Sequence, residues 1–154
     1  MNTRQRCLTI TSVQEQLAIE KLYEKLFMLQ EEYPEFKNWF FDKVVPETLL
    51  NNRRIFVASC GEEIAGVAIV KNSDEKKICT LRVMPEFRHM GIGQKLICVA
   101  IEYLQTRYPL ITVSDDHVSE FKHLFDKLGF IFTEVHLDYY REGHMEYVFN
   151  GNLR

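Results

Sequence analysis

Residues 54–83 hold three strand-like stretches in a row, RIFVASC, EIAGVAIV and KKICTLRV, and at residue 91 the hydrophobic spacing switches to that of a helix. Gly61 and Glu62 separate the first two stretches as a hairpin turn, and the polar turn NSDE separates the next two, so the three strands are expected to form an antiparallel meander. From Gly91 to Arg107 a stripe of Ile97, Ala100, Ile101 and Leu104, thickened by Leu96, Cys98 and Val99, predicts a helix mostly buried against that sheet. The two periods meet in RVMPEFRHMGIGQKLI, where a strand ends, a short loop follows, and two glycines open the helix.

The flanking segments fill out the order. CLTITSV is rich in β-branched residues and reads as a strand. Ser12 and Glu15 then have the spacing of a capping box, opening a helix with Ala18, Leu22, Leu26 and Leu29 on one face. A second helix restarts near Pro34, carries Phe36, Trp39, Phe40 and Val44, and is expected to stop at Pro46. LITV is a short apolar strand; DDHVSEFKHLFDKLG is a helix with Phe121, Leu124, Phe125 and Leu128 on one side and Gly129 at its end. FIFTEVHLDYY and MEYVFN give two last strands around a turn at Gly143. The order β-α-α-β-β-β-α-β-α-β-β implies an α/β protein with a mixed sheet and helices on its faces, read as a single domain over 1–154.

Composition narrows the class. With 46% hydrophobic and 27% charged residues the chain reads as globular, and its apolar runs are too short to span a bilayer. A net charge of −3 from 19 basic and 22 acidic residues, without a long basic block, gives little electrostatic support to nucleic-acid binding and leaves only a local basic patch open. MNTRQRCLTITSV lacks the pattern of a secretory signal, so a cytoplasmic location is expected. Cys7, Cys60, Cys79 and Cys98 lack metal-ligand spacing; buried free thiols and no metal are expected. Whether the chain works as a monomer or a homodimer is left open.

Backbone N–H groups at a helix start lack partners within the helix and lie at the positive end of its dipole, which suits an anion. Side chains at positions 91 and 93 are expected to hold a pyrophosphate away from that backbone, while Arg88 can reach the same charge from outside. The plainer reading is that the glycines permit a tight turn and close helix–sheet packing. A dinucleotide-binding fingerprint is excluded because Leu96 stands where its last glycine belongs and a meander precedes it. GIGQKL also lacks the spacing and hydroxyl of a nucleotide-triphosphate loop.

Arg88, Gly91 and Gly93 match R/Q-x-x-G-x-G/A, LRVMPEFR matches the approach L-x-V-x-P-x-x-R, and FDKLGF precedes a later strand. In these features and in element order the chain resembles the GNAT superfamily of acetyl-CoA-dependent N-acetyltransferases. The resemblance implies a GNAT-like fold in which the fourth and fifth strands splay and admit acetyl-CoA as cosubstrate. It places Leu81, Arg82, Val83, Arg88, His89, Met90, Gly91, Ile92, Gly93, Gln94 and Phe125 at the cofactor. It also gives the Val83 N–H the role of donor to the thioester oxyanion.

One family feature is missing. Many members protonate the departing thiolate with a tyrosine on the last helix, and Phe125 occupies that position; the glutamate base that some carry on the fifth strand is also absent from LITVS. A thiol of pKa about 8.5 leaves at modest cost near neutrality. Acid–base help contributes roughly 10²–10⁴-fold, against effective molarities of about 10⁵ M and above from positioning. Activity therefore survives the loss on these magnitudes. Substitute groups lie in Ser114, Asp115, Asp116 and His117, of which His117 is the best base chemically and Ser114 a second candidate, although the same residues suit a helix cap. Tyr139 and Tyr140 offer phenols from the last hairpin. The resemblance implies an enzyme acetylating a primary amine of a small molecule or peptide, with Glu31, Glu32, Glu35 and Glu142 favouring a cationic acceptor. The rival from another class is an acetyl-CoA sensor without turnover, and a third is a purely structural domain.

Overall fold

The computed structural model describes residues 8–153, so Cys7, expected to be a buried free thiol, lies outside the described residues. A seven-stranded mixed sheet runs in the order β1-β2-β3-β4-β5-β7-β6. Its strands are β1 (Leu8–Val13), β2 (Arg53–Cys60), β3 (Glu63–Asn72), β4 (Lys76–Val83), β5 (Leu110–Ser114), β6 (Phe132–Leu137) and β7 (Met145–Phe149). The expected meander is β2-β3-β4, antiparallel throughout, and β4 meets β5 in parallel. The last hairpin folds back so that β7, not β6, adds to β5.

The sheet separates two helical layers. Helices α5 (Ile92–Leu104) and α6 (Val118–Leu128) lie on the face that carries Val83 and Phe149: Val83 sits under Gly93, and Phe125 packs edge-on to Phe149 at 4.8 Å between ring centroids. The other face takes α1 (Gln16–Leu26) and the short helices α2 (Leu29–Glu32), α3 (Phe36–Trp39) and α4 (Val45–Leu49). Tyr23 meets Phe36, Phe40 and Phe41 there, an aromatic cluster that ties α1 to the following turns. Adjacent residues of a strand point to opposite faces, so Val83 looks toward α5 while Arg82 looks toward α2.

Four local expectations are corrected. Ser12 is not a helix cap, because β1 continues pairing through Ser12↔Phe56 and Val13↔Ile55; α1 starts at Gln16 without a side-chain cap, and its buried face is Ile19, Leu22 and Leu26 while Ala18 is exposed. Pro46 does not stop the second helix. The turn Phe40–Val44 widens to a π-helix in which Val45 N–H reaches Phe40 O, and Pro46 then falls in the first turn of α4, where its missing N–H costs nothing. Helix α5 ends at Leu104, with Gln105 in the left-handed region, and its outer face leaves Cys98 exposed. Cys60 and Cys79, expected to be buried, are only half-buried.

One glycine that the sequence did not single out fixes how α5 meets the sheet. A Cβ at Gly66 would lie 2.9 Å from Arg82 O, 3.0 Å from Leu96 Cδ1 and 3.2 Å from Ile92 Cγ2. The first contact is with backbone that cannot rotate away. Gly66→Ala is therefore expected to destabilise the protein by about 1–3 kcal/mol, as overpacking does, and to lower the midpoint of thermal unfolding. An unchanged midpoint would show that the helix can shift outward without cost.

Candidate active site

The site begins where β4 and β5 stop pairing. Their parallel register covers only Lys77↔Leu110 and Ile78↔Ile111, after which the strands part. Ladder alternation tells which groups face the gap. Met84 N–H donates to Ala65 O across β3 (2.8 Å), in the same register as Gly66↔Val83, so the N–H of the intervening Val83 points the other way, toward β5. Leu81 has the same parity. From the far side, Asp115 N–H bonds Met145 O (2.9 Å), which turns the peptide groups of Ser114 and Thr112 toward β4. The cleft between the strands is lined by Tyr33, Leu81, Arg82, Ser114, His117 and Phe121 among others. Ser114 Oγ is buried beside the Tyr33 phenol and makes no hydrogen bond of ordinary geometry, an unpartnered polar group in the lining of the cleft.

At the mouth of this gap the chain turns through Pro85–Phe87 into α5. His89 (φ 63°) and Gly91 (φ 77°) both adopt left-handed backbone, and Gly91 caps the helix with no side-chain hydrogen bond. The first bond along the helix is Lys95 N–H to Gly91 O at 3.1 Å, and no acidic residue stands in the first turn. The N–H groups of that turn are therefore available to an anion, and a Cβ on Gly91 would meet nothing within 4 Å. The two glycines differ. A Cβ on Gly93 would point inward, 3.4 Å from Phe121 and 3.7 Å from Leu124 and Val83, so that glycine serves close packing of α5 on α6 rather than approach of a ligand.

The other cofactor residues read from the sequence are divided by the fold. Arg88 is exposed beside the loop and pairs with Glu120 at 3.5 Å. Met90 is half-buried, Ile92 is core, and Gln94 accepts from Lys127 at 3.4 Å, so these contribute main chain more than side chain. Phe125 is fully buried against Phe121, Phe130 and Phe149; it is Phe121, one turn earlier, that reaches the cleft.

Arg82 and His117 meet on the opposite face of the sheet. Arg82 binds Glu32 at 2.8 Å, His117 Nε2 meets the other oxygen of Glu32, and His117 Nδ1 meets Glu120 at 3.3 Å. Hydrogen bonds to Glu120 and Glu32 raise the His117 pKa over the cost of its partial burial. Burial pushes Glu32 upward, but the His117 hydrogen bond and the Arg82 charge outweigh it and leave its carboxyl below the ordinary value. Asp115 and Asp116 are not helix caps: Asp115 accepts from Met145 N–H (3.0 Å) and His144, and Asp116 pairs with Arg141.

Sequence reasoning missed Glu146 and Tyr33. Glu146 is only 3% exposed, stands opposite Ser114 in the β5–β7 register, and takes a long hydrogen bond from Tyr33 Oη at 3.4 Å. Burial pushes its carboxyl up to about 7, with Thr112, Tyr33 and Lys77 opposing the rise. Burial and the nearby Glu146 charge raise the Tyr33 phenol further, so it stays protonated as a donor. A signal existed in MEYVFN: period two puts Glu146 on the same inward face as Val148, where a carboxyl is out of place. The larger hollow of about 340 Å³ beside Lys71, Glu75 and Tyr139 lies at the other end of β4 and is rimmed by the Lys71–Glu75 ion pair.

Comparison with known proteins adds independent support. The model of the acetyltransferase (GNAT) family matches residues 14–130. Solved structures of similar fold include the ribosomal-protein-S18-alanine N-acetyltransferase of Escherichia coli, at 18% identity and TM-score 0.67 over 92% of this chain and 91% of that one. The IAA acetyltransferase of Bacillus cereus matches at 19% identity and TM-score 0.66, over 92% and 97% of the two chains. A GNAT family acetyltransferase from Elizabethkingia anophelis with acetyl-CoA bound matches at 17% identity and TM-score 0.54, over 72% and 83%. Among curated proteins none matches in sequence. Among the described residues no helix is long and apolar enough to cross a membrane.

The His117 pairing makes a pH prediction. A group whose folded pKa is raised adds stability below its unfolded value, about 6.5, and loses it as pH climbs through the folded value. Glu32, held low, adds stability above its ordinary value and loses it in acid. Urea unfolding from pH 4 to 9 should show the pair's contribution greatest between those limits, and His117→Gln should lessen the decline on the alkaline side. An alkaline limb of undiminished slope in that variant would refute the pairing.

Proposed function

Because the chain belongs to the acetyltransferase (GNAT) family of N-acetyltransferases, we propose that it moves an acetyl group from acetyl-CoA to the primary amine of a small molecule or peptide. The observation that carries this reading is the Val83 N–H: the ladder turns it into a gap that β4 and β5 leave unpaired, 8 positions before the glycine cap of α5 by sequence number. A bound thioester supplies an acetyl carbon activated for attack by nitrogen. The main chain from Arg88 to Gly93 would hold the pyrophosphate, Gly91 giving it open approach and Arg88 a balancing charge. The outward peptide groups of Leu81, Thr112 and Ser114 suit an amide-rich arm lying between the strands. Val83 N–H would donate to the carbonyl oxygen as charge gathers on it, a contribution of roughly 10²–10³-fold for one such donor.

His117 serves this reaction as a positioning group rather than as the proton acceptor. Both of its ring nitrogens are engaged, Nδ1 with Glu120 and Nε2 with Glu32 and Arg82, and its role is to hold Glu32 and α2 over the sheet. The cationic acceptor suggested by the glutamates also loses ground, since Glu32 is neutralised by Arg82 and His117 while Glu31 and Glu142 are exposed.

An amine panel with acetyl-CoA, followed by thiol release and product mass, is expected to give turnover with at least one primary amine. Binding of acetyl-CoA with no turnover from pH 6 to 9 would instead favour the sensor. Gly91→Glu places a carboxylate at the proposed pyrophosphate site and should weaken acetyl-CoA binding by about 10²-fold or more, since like charges in contact cost several kcal/mol. Unchanged affinity in calorimetry would remove the cofactor assignment.

A further inference from the structure

On the face of the sheet that carries Glu146, an aromatic-walled cavity lies between α3 and the turn that joins β6 to β7. We propose that this cavity seats the apolar body of the acceptor, and that the Glu146 carboxylate behind its Tyr33 wall takes the proton from the attacking nitrogen. The inference rests on the acetyltransferase reading and names for it an acceptor class and a catalytic residue.

The cavity holds about 210 Å³ and is walled by Tyr33, Phe36, Trp39, Tyr139 and Tyr140. A void of roughly 150 Å³ lined by apolar side chains accepts benzene, so there is room for one ring or an aliphatic group of that bulk. Tyr33 and Tyr140 meet edge to face at 5.4 Å, and Tyr139 and Tyr140 at 4.7 Å, which leaves flat surfaces suited to a flat guest. The charged side chains at its lining are Glu35, exposed, and Lys77, whose Nζ lies 3.4 Å from Tyr140 Oη. A polycation would meet Lys77; an amine on an apolar stem would not need to.

Tyr33 lines both this cavity and the β4–β5 cleft, and its phenol donates to Glu146 at 3.4 Å. Thr112 also lines both and lies within hydrogen-bonding reach of the carboxyl. Glu146 lines neither space itself; Tyr33 and Thr112, which line both, reach its carboxyl and connect it to an amine projecting from the cavity toward the thioester. The groups facing it are Tyr33 from α2's end, Lys77 from β4, Asp115 beyond β5 and Tyr140 from the hairpin turn. Burial sets its pKa near 7, which leaves the carboxylate well populated at neutral pH and basic enough to accept. In the reaction the nitrogen lone pair forms the C–N bond, the C–S pair leaves with sulfur as thiolate, and the surplus N–H proton passes to Glu146. Glu146 returns it to solvent, from which the thiolate is protonated.

The test compares 2-phenylethylamine with spermidine. The ring-bearing amine is expected to have the higher kcat/KM by about tenfold or more, and Trp39→Ala should erase that preference through KM. Glu146→Gln should lower kcat by roughly 10²–10⁴-fold with either amine and remove the acid limb near pH 7, while calorimetric acetyl-CoA affinity stays unchanged and reports an intact fold. Retained kcat or a retained acid limb in Glu146→Gln would overturn the base, and equal kcat/KM for the two amines would overturn the acceptor class. Trp39 is the single tryptophan, so its fluorescence reads cavity occupancy without turnover. Saturable quenching by 2-phenylethylamine is expected. Quenching in a wild-type protein that acetylates neither these two nor any other amine of the panel would sink the acetyltransferase reading and the role of Glu146 but leave the cavity's ligand class standing. Absence of quenching would sink the cavity.

Discussion

The parting of β4 from β5 is the constraint on which the rest of the site depends. Parallel strands normally satisfy each other's peptide groups, and leaving several of them bare inside a fold is costly. Here pairing ends after Ile78 and Ile111, and the groups of Leu81, Val83, Thr112 and Ser114 are left facing a narrow cleft. The meander on one side and the returning β7 on the other hold the two strands apart, because each is paired with its outer neighbour along the stretch that faces the gap. The fold keeps the bare edge by satisfying everything around it.

A line of charges joins the two ends of this cleft. Arg88 beside the glycine loop contacts Glu120, Glu120 contacts His117, and His117 shares Glu32 with Arg82. Each link is modest, since partly exposed pairs contribute little individually. Together they clamp α2, which carries Tyr33 at its end, over the sheet, and they place the start of α6 beside the loop that precedes α5.

Three glycines show how one residue type serves different demands. Gly91 supplies a left-handed backbone with open space around it, Gly93 makes room for Phe121, and Gly66 lets Ile92 and Leu96 of α5 pack down on β3. The sequence motif joins Gly91 and Gly93 as equals. Geometry assigns only the first to ligand approach, because successive helical positions two apart point some 200° around the axis.

Much of the fold was legible locally. Period-two runs bounded by Gly61 and NSDE marked β2 to β4, the change of period marked α5, and KLGF marked the end of α6, because short-range sterics and turn chemistry decide these features. Ser12 and Pro46 misled for a tertiary reason: pairing of β1 with β2 overrode a capping pattern, and a π turn absorbed a proline. The sequence by itself determined that a strand would end at a glycine-opened helix start and that the usual tyrosine would be a phenylalanine. Only the tertiary structure decided that Phe125 would be core, that His117 would be locked between carboxylates, and that Glu146 and Tyr33, separated by 113 positions, would meet beside the cleft. Those outcomes depend on burial and on partners remote in sequence, and no local pattern encodes the distance between them.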